Sequence, residues 1–299
     1  MLIGKIGEFG LIQRFRKAIK TDASVIRASG DDCAVLKFDK DNYQLFTCDM
    51  IVEGVDFTAK DNPWLVGRKA LAVSISDIAA CGGIPRYAVV SLGLPKNTSV
   101  RYIDQLSKGL FSLANAFKVN IVGGDISRSQ KLVIDVSLLG IVEKECLVLR
   151  NGAKTGDIIF VSGKLGGSIK GKHLSFIPRI KESRYLVRNF KVNSMIDISD
   201  GLFQDLGHIL KESNAAAVIY EDRIPVSRQA KGLVDALCAG EDFELLFTLP
   251  SGEAERLIKK PGPYYFYPIG KVTGKKFSIK LIGSNQKERK TLPEGFWHF

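Results

Sequence analysis

The chain has 299 residues, of which 43 are Lys or Arg and 32 are Asp or Glu, so its formal net charge is +11. This length fits two domains as a soft prior, and an apolar fraction of 45% is that of an ordinary globular protein. No apolar run approaches the roughly 18 residues that a membrane-spanning helix needs, and charged residues interrupt the start of the chain where a signal peptide requires an apolar core. We therefore expect a cytoplasmic protein that does not bind membranes.

The five cysteines and three histidines are widely scattered. No C-x-x-C spacing occurs, so neither a zinc site nor a disulfide framework is predicted, and the thiols are expected to be reduced. The histidines are too far apart for a His-based metal site or a cluster of general bases. The positive net charge favours acidic partners, but the basic clusters are short and nearly free of aromatic residues, which argues against a nucleic-acid groove.

Strand-like and helix-like runs alternate along the chain, which predicts an α/β or α+β protein. Apolar residues at helical spacing predict an amphipathic helix over 99–118, and a segment of small and apolar residues predicts a buried helix over 72–83. In chain order we expect a strand at 43–48, a helix at 72–83, a strand at 87–92, a helix at 99–118, strands at 132–142 and 158–161, a helix after Gly201, and a strand at 243–249.

A domain boundary is predicted where the sequence turns polar and glycine-containing, between residues 145 and 156. We therefore divide the chain into an N-terminal domain, 1–145, and a C-terminal domain, 146–299. The glycine-rich stretch 162–168 lacks the full spacing of a phosphate-binding loop and is interpreted as a turn.

Six short acidic turns are the main candidates for chemistry, and most of them lie beside a strand-like run. Any one of them is more often a turn or a helix cap than a ligand, and Asp77, inside the buried helix, could be a hydrogen-bonded structural residue. As a set they indicate bound cations, because clustered like charges are costly unless neutralised. Carboxylates at strand ends are typical of Mg²⁺ held together with substrate phosphates. The turns contain Asp31 and Asp32, Asp49, Asp77, Asp125, Asp197 and Asp200, and Glu241 and Asp242.

Taken in order, the motifs resemble the thiamine-monophosphate kinase family, which shares a superfamily with aminoimidazole ribonucleotide synthase. They are G-D-D at 30–32, D-M-I-V-E-G-V at 49–55, S-D-I-A-A at 76–80, G-G-D at 123–125, R-N-G-A-K at 150–154, D-I-S-D-G-L at 197–202 and G-E-D-F-E-L at 240–245. The resemblance implies a two-domain aminoimidazole ribonucleotide synthase-like fold of mixed sheets packed with helices. It also implies a homodimer formed by the first-half sheet, and Mg²⁺-dependent transfer of a phosphoryl group from ATP to thiamine monophosphate, giving thiamine diphosphate.

Carried over position by position, the resemblance implies three sets of site residues. The metal ligands would be Asp32, Thr47, Cys48, Asp49, Asp77, Asp125, Asp197 and Asp200. The ATP contacts would be Gly124, Asp125, Arg150 and Ser199, and the thiamine monophosphate contacts would be Asp56, Glu241 and Phe296. No catalytic side chain is expected, because the acceptor phosphate is largely ionised at neutral pH and phosphoryl transfer depends mainly on metal ions and positioning.

The match departs from the family pattern at the acceptor side and at one ligand position. Asp56 replaces a His, Cys48 replaces a Thr, Ser74 replaces an Asn, Trp297 replaces an Asp, and the segment before Pro178 is shorter than usual. A neutral thiol is a poor Mg²⁺ ligand, although a backbone carbonyl can take its place. Two alternatives therefore stay open: an ATP-dependent enzyme that acts on another small phosphorylated acceptor, and a nucleotide-binding homologue without turnover.

Overall fold

The computed structural model of the chain describes residues 3–274 and 276–289. Its helices are α1 Ile3–Ala18, α2 Pro63–Ala80, α3 Val100–Phe117, α4 Lys172–Ser175, α5 Ile180–Asn189, α6 Leu202–Glu212, α7 Leu233–Cys238 and α8 Ser251–Lys259. Its strands are β1 Val25–Arg27, β2 Ala34–Lys37, β3 Asn42–Val52, β4 Ile84–Leu94, β5 Asn120–Arg128, β6 Val133–Glu143, β7 Ile158–Val161, β8 Ser194–Asp197, β9 Ala216–Tyr220, β10 Leu245–Leu249, β11 Tyr267–Thr273 and β12 Ser278–Ile282. Within the described ranges, no helix is both long and apolar enough to cross a membrane.

The strands form two mixed sheets of six strands each. The first has the order β1-β2-β3-β6-β4-β5, in which β4 and β5 are parallel and the other neighbours antiparallel. The second has the order β12-β9-β11-β7-β10-β8, in which β12 and β9 are parallel. Two mixed sheets packed with helices confirm the predicted fold class, whereas the boundary at residue 145 stays a prediction.

The predicted elements are present, but two of them differ in extent from the prediction. The helix predicted over 72–83 begins at Pro63 and ends at Ala80. Helix α3 matches the prediction closely, with Ser99 as its N-cap and Lys118 ending it in the left-handed region. The strand predicted from residue 243 begins at Leu245 instead. Glu241 and Phe243 have φ values of 53° and 49°, in the left-handed region rather than the extended region of a regular strand. The apolar pattern therefore begins two residues before the strand, within a tight loop.

Each sheet covers an apolar core. The first sheet packs Leu45 and Leu138 against helices α2 and α3. The second sheet has a core on each face, one around Ile159 with helix α6 and the other around the stacked rings of Phe160 and Phe247, whose centroids are 5.3 Å apart. Helix α2 contacts strands of both sheets, including β3 and β8. It therefore carries its side chains to the junction of the two halves.

Helix α2 is held in place by direct backbone contact with α3. A Cβ atom added at Gly67 would lie 1.9 Å from the carbonyl oxygen of Leu106, and one added at Gly109 would lie 1.8 Å from that of Trp64. No side chain fits at either position, so the two glycines allow the helix backbones to touch. This contact fixes the position of α2, and with it the position of Asp77.

Candidate functional site

Three acidic side chains from distant parts of the sequence converge in one cluster. Asp32 lies in the turn before β2, Asp77 lies on α2, and Asp197 ends β8. One carboxylate oxygen of each lies within 4.8 Å of the others, and Asp32 and Asp197 are 8% and 4% exposed. The fold therefore brings together three predicted ligands, two from the first half of the chain and one from the second.

Burial and repulsion between neighbouring charges raise the pKa values of Asp77 and Asp197 in this cluster and of Asp49 beside it. Burial, reinforced by the charge of Asp32, raises the pKa of Asp197 to about 8. Burial and the neighbouring charges also raise the pKa values of Asp77 and Asp49. The hydroxyl of Ser76 donates to Asp197 at 2.5 Å, and that of Thr47 donates to Asp77. These two hydroxyls offset only part of the repulsion, so the cluster favours binding of a proton or a cation.

The donor set fits a divalent cation such as Mg²⁺. Asp32 Oδ2 and Asp49 Oδ2 are buried and accept no hydrogen bond from any residue that the structure describes. A buried anionic oxygen without a partner is costly. Carboxylate oxygens are the ligands that Mg²⁺ prefers, usually together with water and substrate phosphates. Asp32, Asp49, Asp77 and Asp197 could therefore hold Mg²⁺.

A pocket of about 400 Å³ lies beside the acidic cluster and includes Asp49 in its wall. Five of the predicted site residues line it, from both halves of the chain, together with Lys69 and several apolar side chains. This combination suits a small ligand that carries both a charged group and a flat or apolar part. The predicted residues in the wall are Asp49, Asp56, Ser199, Asp200 and Glu241, and the apolar ones include Ile51, Val55, Val73, Ile169 and Phe243.

Lys69, which the sequence analysis did not select, joins two of the predicted acceptor residues. Its ammonium group forms an ion pair with Glu241 Oε1 and donates a hydrogen bond of 2.8 Å to the carbonyl oxygen of Asp56. The carboxylate of Asp56 accepts a hydrogen bond of 2.7 Å from the amide of Val52 and so closes its own turn. The sequence did contain a signal for Lys69, because residues 69, 73 and 77 repeat every four positions and therefore share one face of α2.

Arg150 reaches the acidic cluster, where it pairs with a predicted metal ligand. Its Nη2 atom lies 2.8 Å from Asp32 Oδ1, and its backbone amide donates to Asp31 Oδ1 at 3.0 Å. Burial lowers the pKa of the guanidinium, but the charges of Asp32 and Asp31 outweigh that effect and leave it raised. Burial and the charge of Asp32 raise the pKa of Asp31 to about 7. Arg150 is thus a permanent positive charge at the edge of the cluster.

Cys48 does not lie with its neighbours on β3. Thr47 and Asp49 face α2, whereas Cys48 points to the outer face of the sheet, because successive side chains of a strand alternate. The Cys48 side chain is exposed, and its sulfur lies 3.1 Å from Asp135 Oδ2. Only the backbone of Cys48 therefore lies between the two inward-facing residues.

Gly124 and Asp125 also lie away from the acidic cluster. They belong to β5, the edge strand of the first sheet, and Asp125 is exposed. Asp125 pairs in register with Ser91, which pairs with Asp135, so all three share the outer face of the sheet with Cys48. At Gly124 an added Cβ atom would lie 1.9 Å from the carbonyl oxygen of Val90, which explains the glycine. Phe296 lies outside the described residues.

A buried ionic cluster fixes the shortened segment against the loop that carries Glu241. Glu244, 1% exposed, accepts two hydrogen bonds from Arg179, of 2.7 and 2.8 Å, and one of 2.9 Å from Lys172. Burial raises the pKa of Glu244, but these two cations outweigh that effect and leave it lowered. The hydroxyl of Ser168 donates to the carbonyl oxygen of Glu241 at 2.6 Å. The short segment therefore still forms one side of the pocket.

Comparison with known proteins agrees with this arrangement. The model of the AIR synthase related protein N-terminal domain matches residues 30–142, and that of the C-terminal domain matches residues 152–282. The thiamine-monophosphate kinase of Buchnera aphidicola subsp. Acyrthosiphon pisum (strain APS) is 34% identical over 99% of this chain and 99% of its own. The structure of AaThiL complexed with AMPPCP and TMP is 31% identical, covers 100% of this chain and 99% of its own, and superposes with a TM-score of 0.86. The crystal structure of thiamine monophosphate kinase from Aquifex aeolicus is 28% identical, covers 97% and 99% of the two chains, and gives a TM-score of 0.80.

Proposed function

Since the chain belongs to the thiamine-monophosphate kinase family of AIR synthase related proteins, we propose that it transfers a phosphoryl group from ATP to thiamine monophosphate, giving thiamine diphosphate and ADP. One observation carries the proposal: a carboxylate cluster built from both halves of the chain adjoins a pocket whose wall contains Asp56 and Glu241. A cation cluster beside an acceptor pocket is what phosphoryl transfer requires, because the reaction depends on charge neutralisation and alignment.

Asp32, Asp49, Asp77 and Asp197 would hold Mg²⁺, with Thr47 and Asp200 nearby as further oxygen donors. Bound Mg²⁺ would neutralise the phosphate oxygens and help to align donor and acceptor. Asp32 pairs with Arg150 in the structure, so a cation on Asp32 would compete with the guanidinium for that carboxylate. Arg150 would then be available to hold a phosphate group of ATP with its planar fork of donors.

The acceptor would lie in the pocket with its cationic ring toward the carboxylates. Glu241 suits a positively charged thiazolium or the amino group of the pyrimidine, while Val55 and Phe243 offer apolar surface. The acceptor phosphate needs no general base, because its second pKa is near 6 and the attacking oxygen is already ionised at neutral pH. Phe296 stays a proposed contact for the acceptor.

The remaining ATP contacts are proposed at Ser199, which lines the pocket, and at Gly124 and Asp125 on the edge strand of the first sheet. The domain boundary stays a proposal at residue 145. The outer face of the first sheet and its edge strand, β5, also suit a homodimer. Several large apolar side chains are exposed there, and an unpaired edge strand is a ready template for a second copy. Light scattering on the purified protein would test this, since a monomer mass would contradict it. The exposed apolar side chains include Phe46, Met50, Tyr87, Val89, Val122 and Ile126.

The proposed function is tested by incubating the purified protein with Mg²⁺, ATP and thiamine monophosphate and measuring thiamine diphosphate and ADP together. We expect both products in equal amounts, and neither of them when EDTA replaces Mg²⁺. ADP formed only with a different phosphorylated acceptor would favour the alternative of an ATP-dependent enzyme that acts on another small molecule. Asp56, which replaces the usual His, and the shortened segment before Pro178 make this the main alternative. Nucleotide binding without ADP formation, in protein shown to be folded by circular dichroism, would favour the homologue without turnover.

A further inference from the structure

Lys69 is a fully buried cation that contacts two of the three predicted acceptor residues, Asp56 and Glu241. It is 0% exposed, and its ammonium group contacts the Asp56 carbonyl oxygen at 2.8 Å and the Glu241 carboxylate. Asp56 belongs to the first half of the chain and Glu241 to the second, so a single side chain joins the two sides of the pocket. Burying an ammonium group is costly even when it is paired, which calls for an explanation of its presence.

The surroundings of Glu241 show what the ammonium group adds. The backbone of Glu241 is fixed on both sides, because its amide donates to the Ser199 carbonyl oxygen at 2.6 Å and its carbonyl oxygen accepts from Ser168 at 2.6 Å. The side chain is 26% exposed, and without a partner it could rotate into several orientations. The ion pair with Lys69 fixes one carboxylate oxygen and leaves the rest of the group facing the pocket.

We propose that Lys69 is a positioning residue for the acceptor: it orients the Glu241 carboxylate and holds the Asp56 turn, so that together they recognise the cationic, amine-bearing part of the acceptor. This proposal rests on the proposed function and adds to it the residue that sets acceptor recognition. Lys69 also balances one of the negative charges in a wall that contains Asp49, Asp56, Asp200 and Glu241. The wall therefore keeps enough negative charge to attract a cation, but it repels a phosphate less strongly than it would without Lys69.

Packing alone does not require a lysine at this position. Its neighbours on the helix, Val66, Ala72 and Val73, are apolar and buried. Removing one partner of an ion pair is strongly destabilising when the other charge is left buried, but the Glu241 side chain is 26% exposed and water can solvate it. Lys69→Met should therefore fold, with an unfolding midpoint close to that of the wild type. Its defect should appear in recognition of the acceptor.

The test is steady-state kinetics with each substrate varied in turn, for the wild type, Lys69→Met, Glu241→Gln and the double variant. We expect Lys69→Met to raise the KM for thiamine monophosphate at least tenfold while the KM for ATP changes less than twofold. In the Glu241→Gln background the same substitution should change the KM for thiamine monophosphate less than threefold. The matched control is Lys280→Met on the edge strand β12, which removes an ammonium group from its ion pair with Glu288 and should leave both KM values within twofold.

Three results would overturn the proposal: an unchanged KM for thiamine monophosphate in Lys69→Met, equal changes in both KM values, or the same effect in the Glu241→Gln background as in the wild type. A wild-type protein that makes no thiamine diphosphate would instead overturn the proposed function, and this inference with it. If Lys69→Met does not fold, Lys69→Gln takes its place, because its amide can still donate to the Asp56 carbonyl oxygen. The same tenfold rise and the same dependence on Glu241 are expected for that variant.

Discussion

Removing one charge from the acidic cluster should stabilise the protein in the absence of metal. In Asp77→Asn the side chain keeps its shape and can still accept the hydrogen bond of Thr47, but it no longer repels Asp32 and Asp197. The oxygens of the three carboxylates lie within 4.8 Å of one another. At an effective dielectric constant of about 20, each like-charged pair at that distance costs about 3 kcal/mol.

The expected gain in the free energy of unfolding is smaller than the summed repulsion of Asp77 with Asp32 and Asp197, because a proton bound by the cluster already relieves part of that repulsion. We expect Asp77→Asn to raise the free energy of unfolding in EDTA by about 3 kcal/mol. In Mg²⁺ the order should reverse, since the wild type gains binding energy that the variant has lost. The wild-type free energy of unfolding should therefore depend on Mg²⁺, and that of the variant should depend on it far less.

Urea denaturation in EDTA and in saturating Mg²⁺ measures both effects. The matched control is Asp104→Asn on helix α3, where the carboxylate is exposed and the change should stay within about 0.5 kcal/mol. A variant at Asp77 that is less stable than the wild type in EDTA would refute the reasoning. The hydrogen bonds and packing of the Asp77 side chain would then outweigh its repulsion by the neighbouring carboxylates.

Gly109→Ala should destabilise the protein by about 1–3 kcal/mol in urea denaturation, since a methyl group there would displace the Trp64 carbonyl; an unchanged midpoint would mean that the helices separate freely. Burial raises the pKa of Glu143, but hydrogen bonds to its own backbone and to Arg184 outweigh that effect and leave the pKa at about 2, below its ordinary 4.5. A lowered pKa in the folded state stabilises the protein above pH 4.5, and this stabilisation is lost as the pH falls toward 2. Glu143→Gln should therefore flatten the dependence of the free energy of unfolding on pH in this range, with a loss at neutral pH of about 1 kcal/mol for a partly exposed pair. A pH dependence as steep as that of the wild type would refute this. Asp56→Asn keeps an acceptor for its turn but removes from the pocket wall a negative charge that attracts the cationic part of the acceptor, so the KM for thiamine monophosphate should rise about two- to fivefold while the KM for ATP stays constant; a fall would show that the charge mainly repels the acceptor phosphate.

The sequence predicted the parts of the fold and site that depend on local patterns. The strands β3, β4, β6 and β7 and helix α3 follow from apolar spacing, and the acidic turns of Asp32, Asp77 and Asp197 suggested a shared cation site before any fold was known. Strand β10 was predicted too long, because the left-handed residues in its loop leave the apolar pattern unchanged. The alternation of side chains along a strand would have predicted that Cys48 and Asp49 face opposite sides of the sheet, since that rule needs only the sequence.

Contacts between distant segments could not be predicted in the same way. The pair between Arg150 and Asp32 joins residues 118 positions apart, and nothing in either local sequence names the other. The ion pair of Lys69 with Glu241 spans 172 positions, and helical spacing could reveal only which face of α2 Lys69 occupies. Such contacts depend on how the two sheets pack, which no local pattern contains.

Strand β3 serves two surfaces at once, and this restricts how its sequence can change. It pairs with β6 over eleven consecutive residues, with Asp49 on the inner side and Cys48 on the outer side. A slip of one residue would turn every side chain to the opposite face, so Cys48 would enter the acidic cluster and Asp49 would leave it. Insertions and deletions within β3 should therefore be tolerated far less than substitutions, and variation in length should be confined to the connections at its two ends.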